Sequence, residues 1–315
     1  MRDLISIGDL TRDEIEGILD RAESFAEVSQ REIKKVPALR GKTVVTLFYE
    51  ASTRTSSSFE LAAKRLSADV VSVKSSGSAV EKGESLKDTV ETLSAYGPAA
   101  IVIRHPSAGA ARLLSTWVDA AVINAGDGMS QHPSQALLDL YTLRSRIGPL
   151  EGVKIWIVGD VLHSRVARSN IQAFGLMGAE VTVAGPPTLI PPGIEDLGCR
   201  VAYSLDDLEE ADVIYLLRMQ NERMTGNFVP SVREYARLFQ VGEQRLSPRQ
   251  LVMHPGPVNR GVEIAASVID SDRSLIADQV AAGLVVRMAI FYELLAGGDV
   301  DRTGPEPLPT IGDPA

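Results

Sequence analysis

Short, nearly continuous apolar runs recur along the chain with helical stretches between them, and no other feature restricts the fold as much. The runs are Thr43–Tyr49, Val70–Val73, Ala100–Ile103, Ala121–Asn124, Lys154–Val158, Glu180–Ala184, Val213–Leu217 and Leu251–Met253. A strand that is apolar on both sides is buried on both sides, which is the condition of a parallel sheet covered by helices. The first helix is expected near Thr11. Thr11 and Glu14 have capping-box spacing, and Ile15, Ile18, Leu19, Ala22 and Phe25 line one face. The Ile147-Gly148-Pro149 break falls near mid-chain and Lys154–Val158 restarts the pattern, which predicts two sheets joined by a helix over Ser134–Arg146. A last apolar helix near Leu275–Leu295 is long enough to cross back.

The expected architecture is α/β, with two Rossmann-like domains, each a parallel sheet flanked by helices, and a C-terminal helix returning to the first domain. Residues 1–134 form the first domain, completed by the helix at 275–300, and residues 135–274 the second. Residues 302–315 are rich in Pro and Gly, lack periodicity, and read as a disordered tail.

Composition removes several classes of function. Thirty-two basic against 41 acidic side chains give a net charge of −9, unsuited to gripping a nucleic-acid backbone, although a local arginine cluster can oppose the global sign. The single cysteine, Cys199, rules out a disulfide framework within the chain and fits a reducing, cytoplasmic setting. Residues 1–17 mix charges from Arg2 onward, so no secretory leader is expected. No run approaches the roughly 18 apolar residues of a membrane span. His105, His132, His163 and His254 lack metal-ligand spacing, so no metal is expected. Gly126-x-Gly128 lacks the third glycine of a dinucleotide fingerprint, which counts against a nicotinamide oxidoreductase.

The residues that suggest chemistry follow the apolar runs, where ligands collect in open α/β sheets. After Thr43–Tyr49 comes Ser52-Thr53-Arg54-Thr55-Ser56-Ser57-Ser58, a hydroxyl-rich helix start. Free N–H groups, hydroxyl donors and a planar guanidinium suit a phosphate, against the plainer reading of a Ser/Thr-capped helix. Ser78–Ser85 is polar, ends near Gly83, and carries Lys82. Arg104 ends a strand, and beside it His105 reads as structural. His132 precedes Pro133 at a helix start, Arg165 opens another helix, Arg218 and Gln220 follow Val213–Leu217, and His254-Pro255-Gly256-Pro257 forms a stiff turn. Arg168 reads as a helix-surface residue, and the long polar stretch Gln220–Ser247 as a loop closing on substrate.

Ser52–Thr55 with Ser56-x-Ser58-Phe59-Glu60 strongly resembles the carbamoyl-phosphate motif of aspartate carbamoyltransferase catalytic chains, and the other segments follow in that family's order over residues 1–300. The resemblance implies transfer of the carbamoyl group of carbamoyl phosphate to L-aspartate, with no cofactor. It assigns Ser52, Thr53, Arg54, Thr55 and Arg104 to the phosphate. Ser78 and Lys82 would come from a neighbouring subunit of a homotrimer with shared sites. His132 would hold the carbamoyl oxygen, joined by Thr55 and Arg104, and Gln135 the carbamoyl amide. Arg165, Arg218 and Gln220 would bind the carboxylates of aspartate. Gly256 and Pro257 would present backbone carbonyls, with a cis bond between them. Ser134 stands where the family usually has threonine, and Gly256 where some members have leucine. A regulatory chain or a dihydroorotase is a conceivable further partner. An ornithine-type carbamoyltransferase and a non-catalytic scaffold are the alternatives. The first typically carries His-Cys-Leu-Pro where this chain has His254-Pro255-Gly256-Pro257. The second does not need the intact set of arginines.

Overall fold

The computed structural model describes residues 1–74, 83–220 and 228–296. Strands β1 (Thr43–Phe48), β2 (Asp69–Lys74), β3 (Ala100–His105) and β4 (Ala121–Asp127) form a sheet in the order β2-β1-β3-β4. Strands β5 (Lys154–Val158), β6 (Glu180–Ala184), β7 (Arg200–Ala202), β8 (Val213–Leu216) and β9 (Leu251–Met253) form a second, in the order β7-β6-β5-β8-β9. Every pairing is parallel. Each apolar run becomes a strand, and the edge strand β7 is an addition that no such run announced.

The helices are α1 (Arg12–Ser29), α2 (Thr53–Arg65), α3 (Leu86–Ser94), α4 (Ala110–Ser115), α5 (Pro133–Ile147), α6 (Arg165–Leu176), α7 (Val232–Phe239), α8 (Ala266–Ile269) and α9 (Ile276–Leu295). The capping box of α1 is formed: Glu14 N–H donates to Thr11 Oγ1 at 3.2 Å and Thr11 N–H to Glu14 Oε2 at 2.9 Å. Pro133 starts α5, and Gly148, at φ +83°, ends it. Helix α9 packs against α1, α2 and α5, which returns the end of the chain to the first domain.

Two expectations fall outside the described residues, namely Ser78 with Lys82 and the 302–315 tail. A third is corrected. The stretch expected as one long loop contains α7, capped by Ser231, whose hydroxyl accepts from Glu234 N–H, and anchored by buried Tyr235 and Phe239 at i, i+4 spacing.

Alternation along the strands decides where the core sits. In the first sheet Val44, Val102 and Ile123 face one side, and Val45, Ile101 and Val122 the other. In the second, Ile155, Val213 and Tyr215 face the first group, while Trp156, Ile214 and Leu216 face away. The inward faces of both sheets share one central core with α1, α5, α6 and α9, flanked by two smaller outer cores. Phe291, Ile290 and Val286 of α9 are fully buried in it. Truncating an aromatic side chain at such a place costs about 3–5 kcal/mol.

Candidate active site

The carboxyl ends of β1, β3 and β4 from the first sheet, and of β5, β8 and β9 from the second, deliver their loops to one cleft of about 1160 Å³. It is lined by Ser52, Thr53, Arg54 and Thr55 at the start of α2, and by Arg104 at the end of β3. His132 and Gln135 line it from the start of α5, Arg165 from the start of α6, Arg218 and Gln220 after β8, and Gly256 and Pro257 after β9. The fold thus gathers these predicted residues from positions up to about two hundred apart. Among the described residues the wall carries five arginines, Arg54, Arg104, Arg165, Arg218 and Arg287, against one carboxylate, Glu50. A chain of net charge −9 has built a cationic cleft.

The start of α2 is unlike an ordinary capped helix. Ser52 occupies the N-cap position, yet its side chain makes no capping hydrogen bond, and no acidic residue lies in the first turn. Ser56 and Ser58 spend their hydroxyls on carbonyls of their own helix, those of Ser52 and Arg54, at 2.9 and 2.8 Å. The helix therefore presents to the cleft a first turn whose N–H groups no side chain among the described residues caps. With the positive end of the helix dipole this makes an anion site. Arg54 extends from this turn, and burial lowers its pKa from the usual arginine value.

Glu50 organises two further cations. Its Oε2 accepts from Arg165 Nη2 at 2.5 Å and lies 3.3 Å from Arg104 Nε. Each arginine is also held at a backbone oxygen, Arg165 Nη1 at Gly128 O (3.1 Å) and Arg104 Nη1 at Ala125 O (3.3 Å). Arg165, from the second half of the chain, thus spans the cleft to residues of the first. Glycine makes room for it: a Cβ at Gly126 would stand 3.0 Å from Arg165 Nε. Gly256 does the same for Arg54. It sits at φ +63°, and a Cβ there would collide with the Arg54 guanidinium. The peptide bond Gly256–Pro257 is cis.

His132 is 4% exposed, and its pKa lies well below the ordinary histidine value, through burial first and then the charges of Arg104, Arg165 and Arg287. It is a neutral imidazole. Its backbone N–H donates to Ser169 Oγ at 2.8 Å, and Nδ1 has no partner among the described residues. Gln135 donates from Nε2 to Asp139 at 3.0 Å. The 254–257 turn is braced by His254, whose Nδ1 accepts from Gly256 N–H at 2.8 Å while Nε2 meets buried Glu263 at 3.1 Å. Asp160 ties the loops after β5 and β8 together. Its Oδ1 takes His163 Nδ1 at 2.8 Å, and its Oδ2 takes Gln220 N–H at 3.1 Å. Among the described residues no three His, Cys, Asp or Glu side chains gather as a metal-binding group.

Two family profiles match nearly end to end. "Aspartate/ornithine carbamoyltransferase, carbamoyl-P binding domain" covers residues 2–145, and "Aspartate/ornithine carbamoyltransferase, Asp/Orn binding domain" covers residues 151–294. The chain belongs to the aspartate/ornithine carbamoyltransferase family. Within that family it is 56% identical over 301 residues to the aspartate carbamoyltransferase catalytic subunit of Pelotomaculum thermopropionicum, covering 94% of this chain and 97% of that protein. The Acidothermus cellulolyticus catalytic subunit is 55% identical over 308 residues, covering 96% and 95%. Among solved structures, the catalytic subunit of M. jannaschii aspartate transcarbamoylase superposes with a TM-score of 0.83 at 38% identity, covering 96% of this chain and all of that one. The Trypanosoma cruzi enzyme in complex with carbamoyl phosphate and aspartate gives 0.85 at 29%, covering 94% and 97%.

Within this carbamoyltransferase cleft the sequence reading missed Glu50 and Arg287 and misplaced Arg168. Glu50 stands two residues before Ser52, and a carboxylate beside an anion site reads as an obstacle until Arg104 and Arg165 are seen against it. Arg168 is not a plain surface residue. Its guanidinium donates to the carbonyls of Met129 (3.1 Å), Leu162 (3.2 Å) and Ser164 (3.2 Å), clamping the turn that leads into Arg165. His105 is structural as expected: its Nδ1 accepts from Ser107 N–H at 3.0 Å, and its ring packs on Tyr49.

Proposed function

We propose that this cleft binds carbamoyl phosphate at the start of α2 and L-aspartate against Arg165, Arg218 and Gln220, and joins them as N-carbamoyl-L-aspartate with release of phosphate. The observation that carries this is the uncapped first turn of α2, opening onto a cleft whose wall carries Arg54, Arg104, Arg165, Arg218 and Arg287. Ser52, Thr53, Arg54, Thr55 and Arg104 hold the phosphate. The aspartate amine attacks the carbonyl carbon, the new C–N bond forms, and negative charge gathers on the carbonyl oxygen. Thr55, Arg104 and neutral His132 stabilise that charge as oxyanion donors, each worth about 3–4 kcal/mol in comparable sites. Gln135 and the backbone carbonyls of the 254–257 turn hold the carbamoyl amide. The C–O bond to phosphate then breaks, and the departing phosphate takes the amine proton. Holding two anions in contact supplies much of the remaining acceleration.

Ser78 and Lys82 reach the phosphate from a neighbouring subunit, so the working unit is a homotrimer. The reaction serves pyrimidine biosynthesis, and the setting is the cytoplasm. The matching test is turnover of labelled carbamoyl phosphate with aspartate and ornithine side by side. Carbamoyl-aspartate should form and citrulline should not. A reversed preference, or no carbamoyl-phosphate binding by calorimetry, would overturn the reading.

A further inference from the structure

Asp139 lies on α5 one turn beyond Gln135, fully buried, and the reaction as derived gives it no task. Its carboxylate collects four side-chain donors from α5, α6, β8 and α9. Oδ1 accepts from Gln135 Nε2 at 3.0 Å and Gln279 Nε2 at 2.7 Å. Oδ2 accepts from Asn170 Nδ2 at 2.9 Å and from the Tyr215 hydroxyl at 2.7 Å. Burial pushes Asp139 up to about 6 while the four donors pull the other way, so at pH 8 it is ionised. An ionised carboxylate only accepts. Both glutamines must therefore turn their NH₂ groups to it and their carbonyl oxygens away.

For Gln279 the result is visible. Its Oε1 accepts the backbone N–H of His254 at 3.0 Å, at the head of the 254–257 turn. For Gln135 the bond to Asp139 engages the NH₂ end, no hydrogen bond to the carbonyl oxygen is seen among the described residues, and the side chain lines the cleft. The two ends of a glutamine amide are nearly the same size, so without a fixed acceptor behind it either end could face the ligand. One carboxylate thus sets the polarity of one wall of the cleft and anchors the turn that forms another.

We propose that Asp139 is a positioning residue that makes the site selective for a carbamoyl group over an acyl group of the same shape. It holds Gln135 by its NH₂ and so keeps a hydrogen-bond acceptor facing the ligand amide. This rests on the transferase reading above. A carbamoyl NH₂ and an acetyl CH₃ fill the same volume, and only the first donates. A site built around an acceptor rejects the group that leaves the acceptor unpaired.

The test compares carbamoyl phosphate with acetyl phosphate, which differs only at that group. The KM of the first and the inhibition constant of the second are measured on the full chain at pH 8. In Asp139→Leu the preference for carbamoyl phosphate should fall by about tenfold, the weight of one hydrogen bond, with acetyl phosphate changed by less than about twofold. A folded variant with an unchanged preference, or with both phosphates weakened alike, overturns the proposal and leaves Asp139 a structural hub. If Asp139→Leu does not fold, Gln135→Glu decides. Its carboxyl group must share a proton with Asp139 to keep its place, so its preference should fall as pH rises from 6 to 9. Tyr215, which burial raises well above the ordinary phenol value and which also faces Gln135, stays protonated across that range, and Arg287, lowered by burial to about 10, stays charged. A preference that is flat with pH and equal to wild type overturns the proposal. A wild-type chain that does not turn over carbamoyl phosphate with aspartate defeats the transferase reading instead.

Discussion

Glu50→Gln tests whether a carboxylate in the cleft wall competes with the substrates or arranges the groups that bind them. The two roles predict opposite signs. If Glu50 merely occupied the arginines, its removal would free Arg104 and Arg165 and lower the KM for aspartate. The geometry favours arrangement. Among the described residues each arginine is held at Glu50 and at a backbone oxygen, and losing the first hold loosens the guanidinium. Glutamine keeps the size and one acceptor but loses the charge. The loss is of the order of one charge-assisted hydrogen bond, about 1.5–3 kcal/mol, which corresponds to a factor of about 10 to 10² at about 1.4 kcal/mol per decade. Glu50 is 23% exposed, so solvent screening places the expected effect at the lower end. We expect the KM for aspartate to rise about tenfold and kcat to fall several-fold, with a small loss in thermal midpoint. Steady-state kinetics at saturating carbamoyl phosphate read the first two, and a melting curve the third. A folded variant with an unchanged or lower KM for aspartate refutes the positioning argument.

Arg54→Ala should lower kcat by roughly 10²-fold with little change in melting temperature, since a donor is lost where charge moves and the side chain faces the cleft; near-normal kcat/KM in the folded variant would end its assignment to the phosphate. On the proposal that subunits share sites, mixing Arg54→Ala and Lys82→Ala chains and reassembling them should restore activity, because some sites would then carry neither change. Mixed trimers no more active than either parent would mean that Lys82 acts within its own chain or not at all. His132 predicts a pH effect on stability. The fold keeps it neutral, so as pH drops below about 6.5 the unfolded chain takes up a proton that the folded chain refuses, and stability falls by up to about 1.4 kcal/mol per pH unit. Relative to His132→Gln, the wild type should lose ground between pH 6.5 and 5 in denaturant titrations, whereas a constant difference would show that His132 is charged in the fold. Asp139 acts in the opposite direction, gaining stability as pH falls through about 6, but it is common to both proteins and cancels in the comparison.

How far the chain could be read in advance follows from where its information lies. Strands buried on both faces announce themselves as apolar runs, and all those expected formed. β7 did not announce itself, because an edge strand of three partly exposed residues needs no such run. α7 was legible but passed over. Ser231 with Glu234, and Tyr235 with Phe239, carry a cap and a helical period inside a stretch whose polarity suggested a loop. Arg54, Arg104, Arg165 and Arg218 were visible because each stands at or just beyond the end of a strand in a recognisable motif, whereas Arg287, buried on α9, was not. Glu50 and Asp139 were not, because what distinguishes them is a set of partners far away along the chain. Glu50 finds Arg165 across 115 positions, and Asp139 finds Gln279 across 140. No local pattern encodes such a distance.

The central core that both sheets share bears on how such a chain can be cut and inherited. Two domains are often pictured as two portable modules, each able to fold if released. Here α5 is buried along most of its length between the layers, and α9 carries the last stretch of the second half back into the first. Separation in the Gly148–Gly152 turn would leave the first half without α9, baring the faces of α1, α2 and α5, and the second half without the surface that covers Ile155, Val213 and Tyr215. Neither fragment would be a protein in its own right. Lineages that carry this chain can vary its loops and its surface one residue at a time, but the two halves have to be kept, lost or duplicated together.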